Sequence, residues 1–408
     1  MIHRFPRSWL VVCVCIAPLA VGCVEIASPP FEGVWLKGDL HCHSTHSDGD
    51  SSVAEVIASA ESIGLDFFVI TDHDGNMDGV PSQWYDPDYH SEEMVMLYGV
   101  EWTTGRGHAN VWAAQPFDYG ELWAANQDQD AQAAIDAAHG QGALFSINHP
   151  SSFLCCPWEY EEYAGVDGFE VWNSMYRFPS FNFVSNHGFW DEHLLAGWRI
   201  TALGGSDTHQ LKGFESKLLH HAEPTTWVFV DEPSADAVLE AIRAGHVSIS
   251  EEPGAPRIDF VADTDEDGRD DAMMGDNILL AEARNVTFRI GIESQEIQAV
   301  AGDVVELSPQ IAGDGNDDFT DTEAGERMIS ALLNEGEYLA FLRKNGKIHG
   351  MWKITGNTAQ VAFTEQVRPG EQVYYRIELM GQPPQEPLNR LLHGFMKALS
   401  NPIYFGYP

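Results

Sequence analysis

Asp39-Leu40-His41-Cys42-His43 closes an apolar run that begins at Val34, and Ser44-Thr45-His46-Ser47-Asp48-Gly49 follows it directly. Strand alternation places Asp39, His41 and His43 on one face and Leu40 and Cys42 on the other. Two imidazoles therefore leave the C-terminal end of one strand together, which is the end where β/α barrels build their sites. Asp48 comes five residues after His43, and Gly49 permits a tight turn that swings its carboxylate back over the strand mouth.

The same arrangement recurs along the chain. Residues 67–70 run into Thr71-Asp72-His73-Asp74, 94–100 into Glu101, 144–148 into His149-Pro150, and 200–205 into Ser206-Asp207-Thr208-His209. A single histidine at a strand end is ordinarily a hydrogen-bonded structural residue. Five strand ends in register, each delivering a histidine or a carboxylate, predict a shared metal site instead. Imidazole mixed with carboxylate suits Zn²⁺, Mn²⁺ or Fe²⁺, and the absence of a thiolate cluster argues against a structural zinc. Eight ligands exceed what one ion takes, so two or three ions sharing a carboxylate are expected, an arrangement that activates water and clamps a departing oxygen.

Hydrophobic periodicity gives the surrounding frame. Short apolar runs at residues 35–41, 67–70, 94–100, 109–113, 143–147, 168–172, 200–204 and 226–230 alternate with helical patterns at 53–63, 128–139 and 235–243. This is the β/α alternation of a parallel sheet or barrel. After Glu251-Glu252-Pro253-Gly254 the texture turns to strand-like runs with turn signals between them, so residues 254–408 read as a second, smaller, β-rich and sandwich-like domain, with 387–400 as a short amphipathic helix.

Composition fits two cores. The chain has 408 residues, 44% hydrophobic, with 62 acidic against 22 basic residues and a net charge of −40. That much apolar content excludes disorder as the main state, and the acidity excludes a nucleic-acid partner, which needs clustered Lys and Arg. A small anionic substrate remains compatible if metal ions supply the positive charge.

Residues 1–22 read as an export signal, with Arg4 and Arg7 ahead of a short apolar stretch, and 23–33 as a linker. The string Leu19-Ala20-Val21-Gly22-Cys23 resembles a bacterial lipoprotein box in which Cys23 is lipidated, with Val24 pointing to the outer membrane. Ordinary secretion into the periplasm or medium and an uncleaved anchor are the alternatives, and the N-terminal lipid is the expected membrane contact. Beyond the signal and Cys23, Cys42, Cys155 and Cys156 are too few for a disulfide framework. A vicinal Cys155–Cys156 ring and two buried thiols are both open.

The segments DLHCHSTHSDG, ITDHDG, GVEWTT, INHP and GGSDTH, in that order, resemble the motifs of the polymerase and histidinol phosphatase (PHP) superfamily of metal-dependent hydrolases. The resemblance implies a distorted (β/α)₇ barrel over residues 34–250. It also implies one ion held by His41, His43, Glu101 and Asp207, a second by Asp48, His73 and His209, and a third sharing Glu101 with His149 and His108. Asp39 and Asp72 would orient ligand imidazoles, and His46 would be a solvated loop residue. The β-rich tail, through Ser400-Asn401-Pro402-Ile403-Tyr404, is similar to the accessory domain of the carbaryl-hydrolase branch.

The superfamily's default reaction is phosphoester hydrolysis, for which Lys37, Arg106, Arg177 and Lys212 are the candidate basic residues, Arg106 and Arg177 foremost. Aromatic residues in the loops, Trp84, Tyr85, Trp102, Trp158, Tyr160, Trp172, Tyr176, Phe178 and Phe181, favour a carboxyl or carbamate ester if they crowd the pocket. The non-enzyme alternative is a binding lipoprotein on a degenerate barrel, against which stands the retention of all eight principal positions. Separately, Asp263, Asp265, Asp267 and Asp271, with Gly268, follow the spacing of a calcium loop, but Met274 stands where an EF-hand has its bidentate Glu. A solvated acidic turn is the other reading.

Overall fold

The computed structural model describes residues 31–151, 156–161, 163–173, 183–214, 216, 219–294, 302–309, 323–356, 358–383 and 394–408. The signal segment with Cys23, and Cys155, Tyr176, Arg177, Phe178 and Phe181, lie outside them.

The first part of the chain runs β1 (Val34–Asp39), α1 (Val53–Ile63), β2 (Phe67–Phe68), β3 (Val95–Met96), β4 (Tyr98–Thr104), β5 (Gly107–Ala113), α2 (Gly120–Asp128), α3 (Ala131–Gly140), β6 (Leu144–Ile147), β7 (Gly168–Asn173), α4 (Phe183–Leu195), β8 (Thr201–Gly205), β9 (Thr225–Val230), α5 (Ala235–Ala244) and β10 (Val247–Ser250). Local chemistry sets several of these limits. Ser52 and Glu55 form a reciprocal capping box at the start of α1, and Gly64 ends it in the left-handed region at φ 74°. At α5 the Ser234 side chain accepts from the Ala237 amide, and Gly245 ends the helix in the left-handed region at φ 79°.

The parallel barrel expected from the sequence is only partly realised. β1, β2 and β3 are parallel, as are β6, β7 and β8, but β4–β5–β6 run antiparallel and β9 is antiparallel to both β1 and β10. For β4 and β5 the reason is the connection, since a turn at Gly105-Arg106 is far too short for a parallel crossover. The ladders form two sheets, and no closed barrel is hydrogen-bonded among the described residues. Single parallel bridges, Cys42 to Thr208 and His73 to Glu101, join the sheets at the strand ends.

The remainder comprises β11 (Arg257–Asp263), β12 (Ala272–Met273), β13 (Asn277–Ile278), β14 (Arg284–Glu293), β15 (Val304–Leu307), α6 (Glu323–Leu332), β16 (Glu337–Lys344), β17 (Lys347–Thr355), β18 (Thr358–Val367), β19 (Val373–Gly381), β20 (Met396–Ser400) and β21 (Ile403–Phe405). A sheet ordered β12-β11-β14-β18 faces β16, β17, β19 and β21. Strict alternation along β14 buries Val286, Phe288, Ile290 and Ile292 between the layers, where Phe288 meets Tyr375 at 4.7 Å between ring centres. Residues 396–400 are strand, not the helix expected, because β20 is hydrogen-bonded between β10 and β19 and buried throughout. Through that pairing one sheet runs from β3 across β1, β9 and β10 into the second part of the chain. Buried Asn401 adds a cross-tie, donating to the carbonyls of Ala202 and Val247 at 2.9 Å.

A buried charge network pins α4 to β16 and β19. Arg376 pairs with Asp191 at 2.7 Å and with Glu378, while Arg343 reaches Glu378 at 2.9 Å. Removing one member of such a network strands the others without compensation, at a cost of about 3–5 kcal/mol. Arg376→Ala should therefore lower the denaturation midpoint by an amount of that order, measurable by urea titration, and an unchanged midpoint would show that the network contributes nothing to stability.

Candidate metal centre

The bridge between His73 and Glu101 sets the segment after β2 beside the middle of β4, and that between Cys42 and Thr208 sets the ends of β1 and β8 side by side. The side chains just beyond these ends converge on Glu101, whose carboxylate is buried. His41 Nε2, His108 Nδ1 and His149 Nε2 lie 3.4, 3.1 and 3.8 Å from Glu101 Oε1, while His73 Nδ1 and His43 Nε2 lie 2.8 and 3.5 Å from Oε2. Asp207 Oδ1 sits 3.3 Å from His41 Nε2 and 3.2 Å from His43 Nε2. On the outer side, Asp48 faces His43, His73 and His209 at 3.8, 3.7 and 3.4 Å.

Three sets of possible ligand atoms, each within 4.8 Å of one another, follow: His43, Asp48, His73 and His209; His41, His43 and Glu101; and His73, Glu101 and His108. Ligands bonded at ~2.0–2.2 Å to a common ion are separated by roughly 3 Å, so these spacings fit divalent metals held by nitrogen and oxygen. Two buried atoms at the centre, His41 Nε2 and Glu101 Oε2, make no hydrogen bond of normal geometry. Each would cost about 1–3 kcal/mol if left so, and an ion satisfies both.

The electrostatics also suit cations. Burial disfavours the charged form of Glu101, yet the imidazoles of His73, His41 and His108 hold its carboxyl well below the usual range. Asp207 is lowered in the same way by His41, His43 and His209. Burial, with His209 and His73 adding like charge, pushes His43 down to about 3, so that it is a neutral donor at pH 7. For His73, burial is outweighed by Glu101, Asp48 and Asp207, which raise it to about 9.

The strand-alternation argument passed over Glu170 on β7. Its Oε1 lies 2.8 Å from His41 Nδ1, leaving Nε2 to face Glu101 and Asp207, and its Oε2 accepts from the His149 amide and Asn173 Nδ2. Gly205 is what lets it reach, because a Cβ there would stand 2.1 Å from Glu170 Oε1. Asp39 and Asp72, expected to orient ligand imidazoles, bond chiefly to other groups, with Asp39 Oδ2 also 3.6 Å from Nδ1 of buried His221. Asp39 accepts from the amides of His41, Ser206 and Ala222, and Asp72 from the Ser44 amide and the hydroxyls of Ser44 and Ser47. His46, expected to be solvated, is half-buried and tied to Ser82 and Asp86. Asp207 and His149 hold positive φ, 52° and 30°, conformations that cost non-glycine residues about 1–3 kcal/mol and cluster at functional sites.

Of the basic candidates, Lys37, Arg106 and Lys212 stand apart, and Arg177 lies outside the described residues. Arg106 stacks on Tyr160 at 4.1 Å and donates to the Glu159 carbonyl, and Lys212 pairs with Glu55 at 2.6 Å. Among the described residues no ion pair or hydrogen bond joins Lys37, Arg106 or Lys212 to the cluster. Trp84, Trp102, Trp158, Tyr160 and Trp172 are buried in the core, whereas Tyr85 is exposed. Cys42 is a free, buried thiol and Cys156 is disulfide-bonded. In the acidic loop after β11, Asp263, Asp265 and Asp267 come together, but Asp271 turns away to bond the amide and hydroxyl of Thr264.

Residues 39–139 match the family model described as PHP domain. A search of the curated proteins finds no match. Among solved structures the chain is similar to a two-domain protein containing a predicted PHP-like metal-dependent phosphoesterase from Bacteroides vulgatus, with 17% identity, TM-score 0.41, and 89% of this chain and 95% of that one covered. It is also similar to an amidohydrolase from Chromobacterium violaceum with bound sulfate and no metal, with 18% identity, TM-score 0.28, and 43% and 88% covered.

Glu170→Gln should preserve the fold but weaken divalent-metal affinity on the order of 10–100-fold, the usual loss when a ligand's supporting partner goes; equilibrium dialysis giving the wild-type affinity would exclude that role. The raised His73 sets a pH dependence. In metal-free protein its protonated form adds stability that is fully present below about pH 6.5 and is lost as pH rises through about 9. Metal uptake at pH 7 must displace that proton, so calorimetry in buffers of different ionisation enthalpy should show proton release at pH 7 that fades above pH 9.

Proposed function

We propose that this chain is a metal-dependent hydrolase of the PHP type whose substrate is a small phosphoester. The observation that carries this reading is Glu101, a buried carboxylate whose two oxygens are approached by five imidazoles, with Asp207 and Asp48 on either side. Two or three divalent ions held there, Mn, Zn or Fe by donor type, supply Lewis acidity that lowers the pKa of a bound water from ~15.7 toward ~7 and stabilises charge on substrate oxygens.

The chain's own residues do the rest. His43 is neutral at pH 7 and keeps its nitrogens available. Glu170 fixes the ring of His41, and Asn173 donates to both Glu170 and Asp207, holding the two carboxylates in a fixed relation. Asp48, with its side chain 48% exposed, marks the open side from which substrate arrives. With Arg106 and Lys212 engaged elsewhere and Arg177 outside the described residues, the ions neutralise a phosphate in this reading.

Of the aromatic residues that favoured a carboxyl or carbamate ester, Trp84, Trp102, Trp158, Tyr160 and Trp172 are core and lend that alternative no support; Tyr85 is exposed, and Tyr176, Phe178 and Phe181 lie outside the described residues. In this reading the enzyme is exported, on the signal pattern of residues 1–23.

Metal-loaded protein offered p-nitrophenyl phosphate, its bis-diester, a naphthyl acetate and a naphthyl carbamate should hydrolyse a phosphoester. His41→Ala, His73→Ala and Asp207→Asn should each lose activity by orders of magnitude together with bound metal. Added salt should raise kcat/KM for the anionic substrate, because screening weakens its repulsion by an acidic protein, and leave neutral esters nearly unchanged. Turnover of neutral esters alone would overturn the phosphoester assignment.

A further inference from the structure

Asp48 and His209 form the outer side of the centre, and neither lies on a strand. Their ligand atoms are 3.4 Å apart, on two loops. The loop carrying Asp48 is folded by its own bonds, from the Thr45 amide to the Ser51 carbonyl and from the Gly49 amide to the Ser44 carbonyl, both at 2.9 Å. Within the segment carrying His209, the ring Nδ1 lies 2.9 Å from the Asp207 carbonyl, and the segment is laced to the first loop. The His43 amide donates to the Thr208 carbonyl at 3.0 Å, and the Asp50 amide to the His209 carbonyl at 2.9 Å. The Asp50 carboxylate then gathers three successive amides, with Leu211 on Oδ1 at 2.8 Å and Lys212 and Gly213 on Oδ2 at 3.0 Å each. Asp50 is two residues beyond Asp48, and Leu211 is two residues beyond His209, so the clamp meets both chains at the same remove from their ligands.

From this lacing we infer that Asp50 is a positioning residue for the outer ion position, the one framed by His43, Asp48, His73 and His209; the inference rests on the metal-centre reading above. Its carboxylate touches neither substrate nor ion. It acts by turning the chain that leaves His209 around one anchored point, which sets the separation of Asp48 and His209. Without it, water can satisfy the three exposed amides, so what is lost is the ligand geometry and not the hydrogen bonding. The neighbouring Lys212–Glu55 pair cannot replace the clamp, since both side chains are exposed and such pairs contribute little.

The test is a Co²⁺ titration of the full chain stripped of metal, followed by visible absorption and by total metal content, with melting of the metal-free form measured alongside. Asp50→Ala should weaken one class of Co²⁺ site on the order of 10–100-fold, as supporting residues do, and leave the others unchanged. Asp50→Asn, which keeps the size and one acceptor oxygen, should fall between Asp50→Ala and wild type, and it carries the test if the alanine variant fails to fold. Glu55→Gln removes one nearby negative charge and the Lys212 pair without touching the clamp, and should stay within about twofold of wild type. Metal-free melting should move little in any of them. Asp50 variants that titrate like wild type overturn the inference, as does a Glu55→Gln variant that loses as much affinity, because the effect would then be simple charge. A wild-type chain that takes up no Co²⁺ overturns the metal-centre reading itself, which is a different result from either.

Discussion

Glu101 is the group on which the rest of this site depends. A carboxylate taken wholly out of water is tolerable only if cations or strong donors surround it, and here five imidazoles from four separate segments do so, at 2.8 to 3.8 Å. Without metal, the negative charge raises some of those rings, His73 to about 9, while crowded His43 is driven to about 3 and stays neutral at pH 7. The site is thus a set of negative and neutral donors whose repulsions make sense only around added positive charge.

Holding those donors in place takes backbone features that are unfavourable by themselves. Asp207 and His149 adopt left-handed conformations, and Gly205 leaves out a side chain so that Glu170 can pass to His41. Such strain persists because the neighbouring strands over-determine it. Glu170, Asn173 and Asp50 are the less visible half of the arrangement, each bonding a group that carries a ligand or adjoins one.

The second part of the chain bears on the first through shared structure. β20 inserts beside β10, the buried Arg376–Asp191–Glu378–Arg343 network holds α4, and Asn401 bonds the carbonyls of β8 and β10 residues. α4 follows β7, the strand of Glu170, so packing in the β-rich part fixes the far end of a segment that begins at the site.

The sequence by itself determined which residues could meet. Apolar runs ending in His41, His73, Glu101, His149 and Asp207 were legible because strand period and metal chemistry both act locally, and α1 was marked by its helical periodicity. The β-rich texture after residue 254 was legible from alternation such as that of β14. Tertiary structure decided the rest. Strand direction is set by pairing partners and connection length, so the antiparallel β4–β5–β6 and β9 replaced an all-parallel barrel. Residues 396–400 became a strand only because an edge was free beside β10. Glu170 drew no attention as a strand-interior acid, since its meaning comes from a histidine 129 residues away that approaches over Gly205. Asp39 and Asp72 looked like partners of adjacent histidines, yet a carboxylate bonds whatever donors the fold presents, and here those are backbone amides and serines. Local pattern supplies candidate ligands, but which carboxylate steadies which ring is a property of distances between strands that the chain sets only on folding.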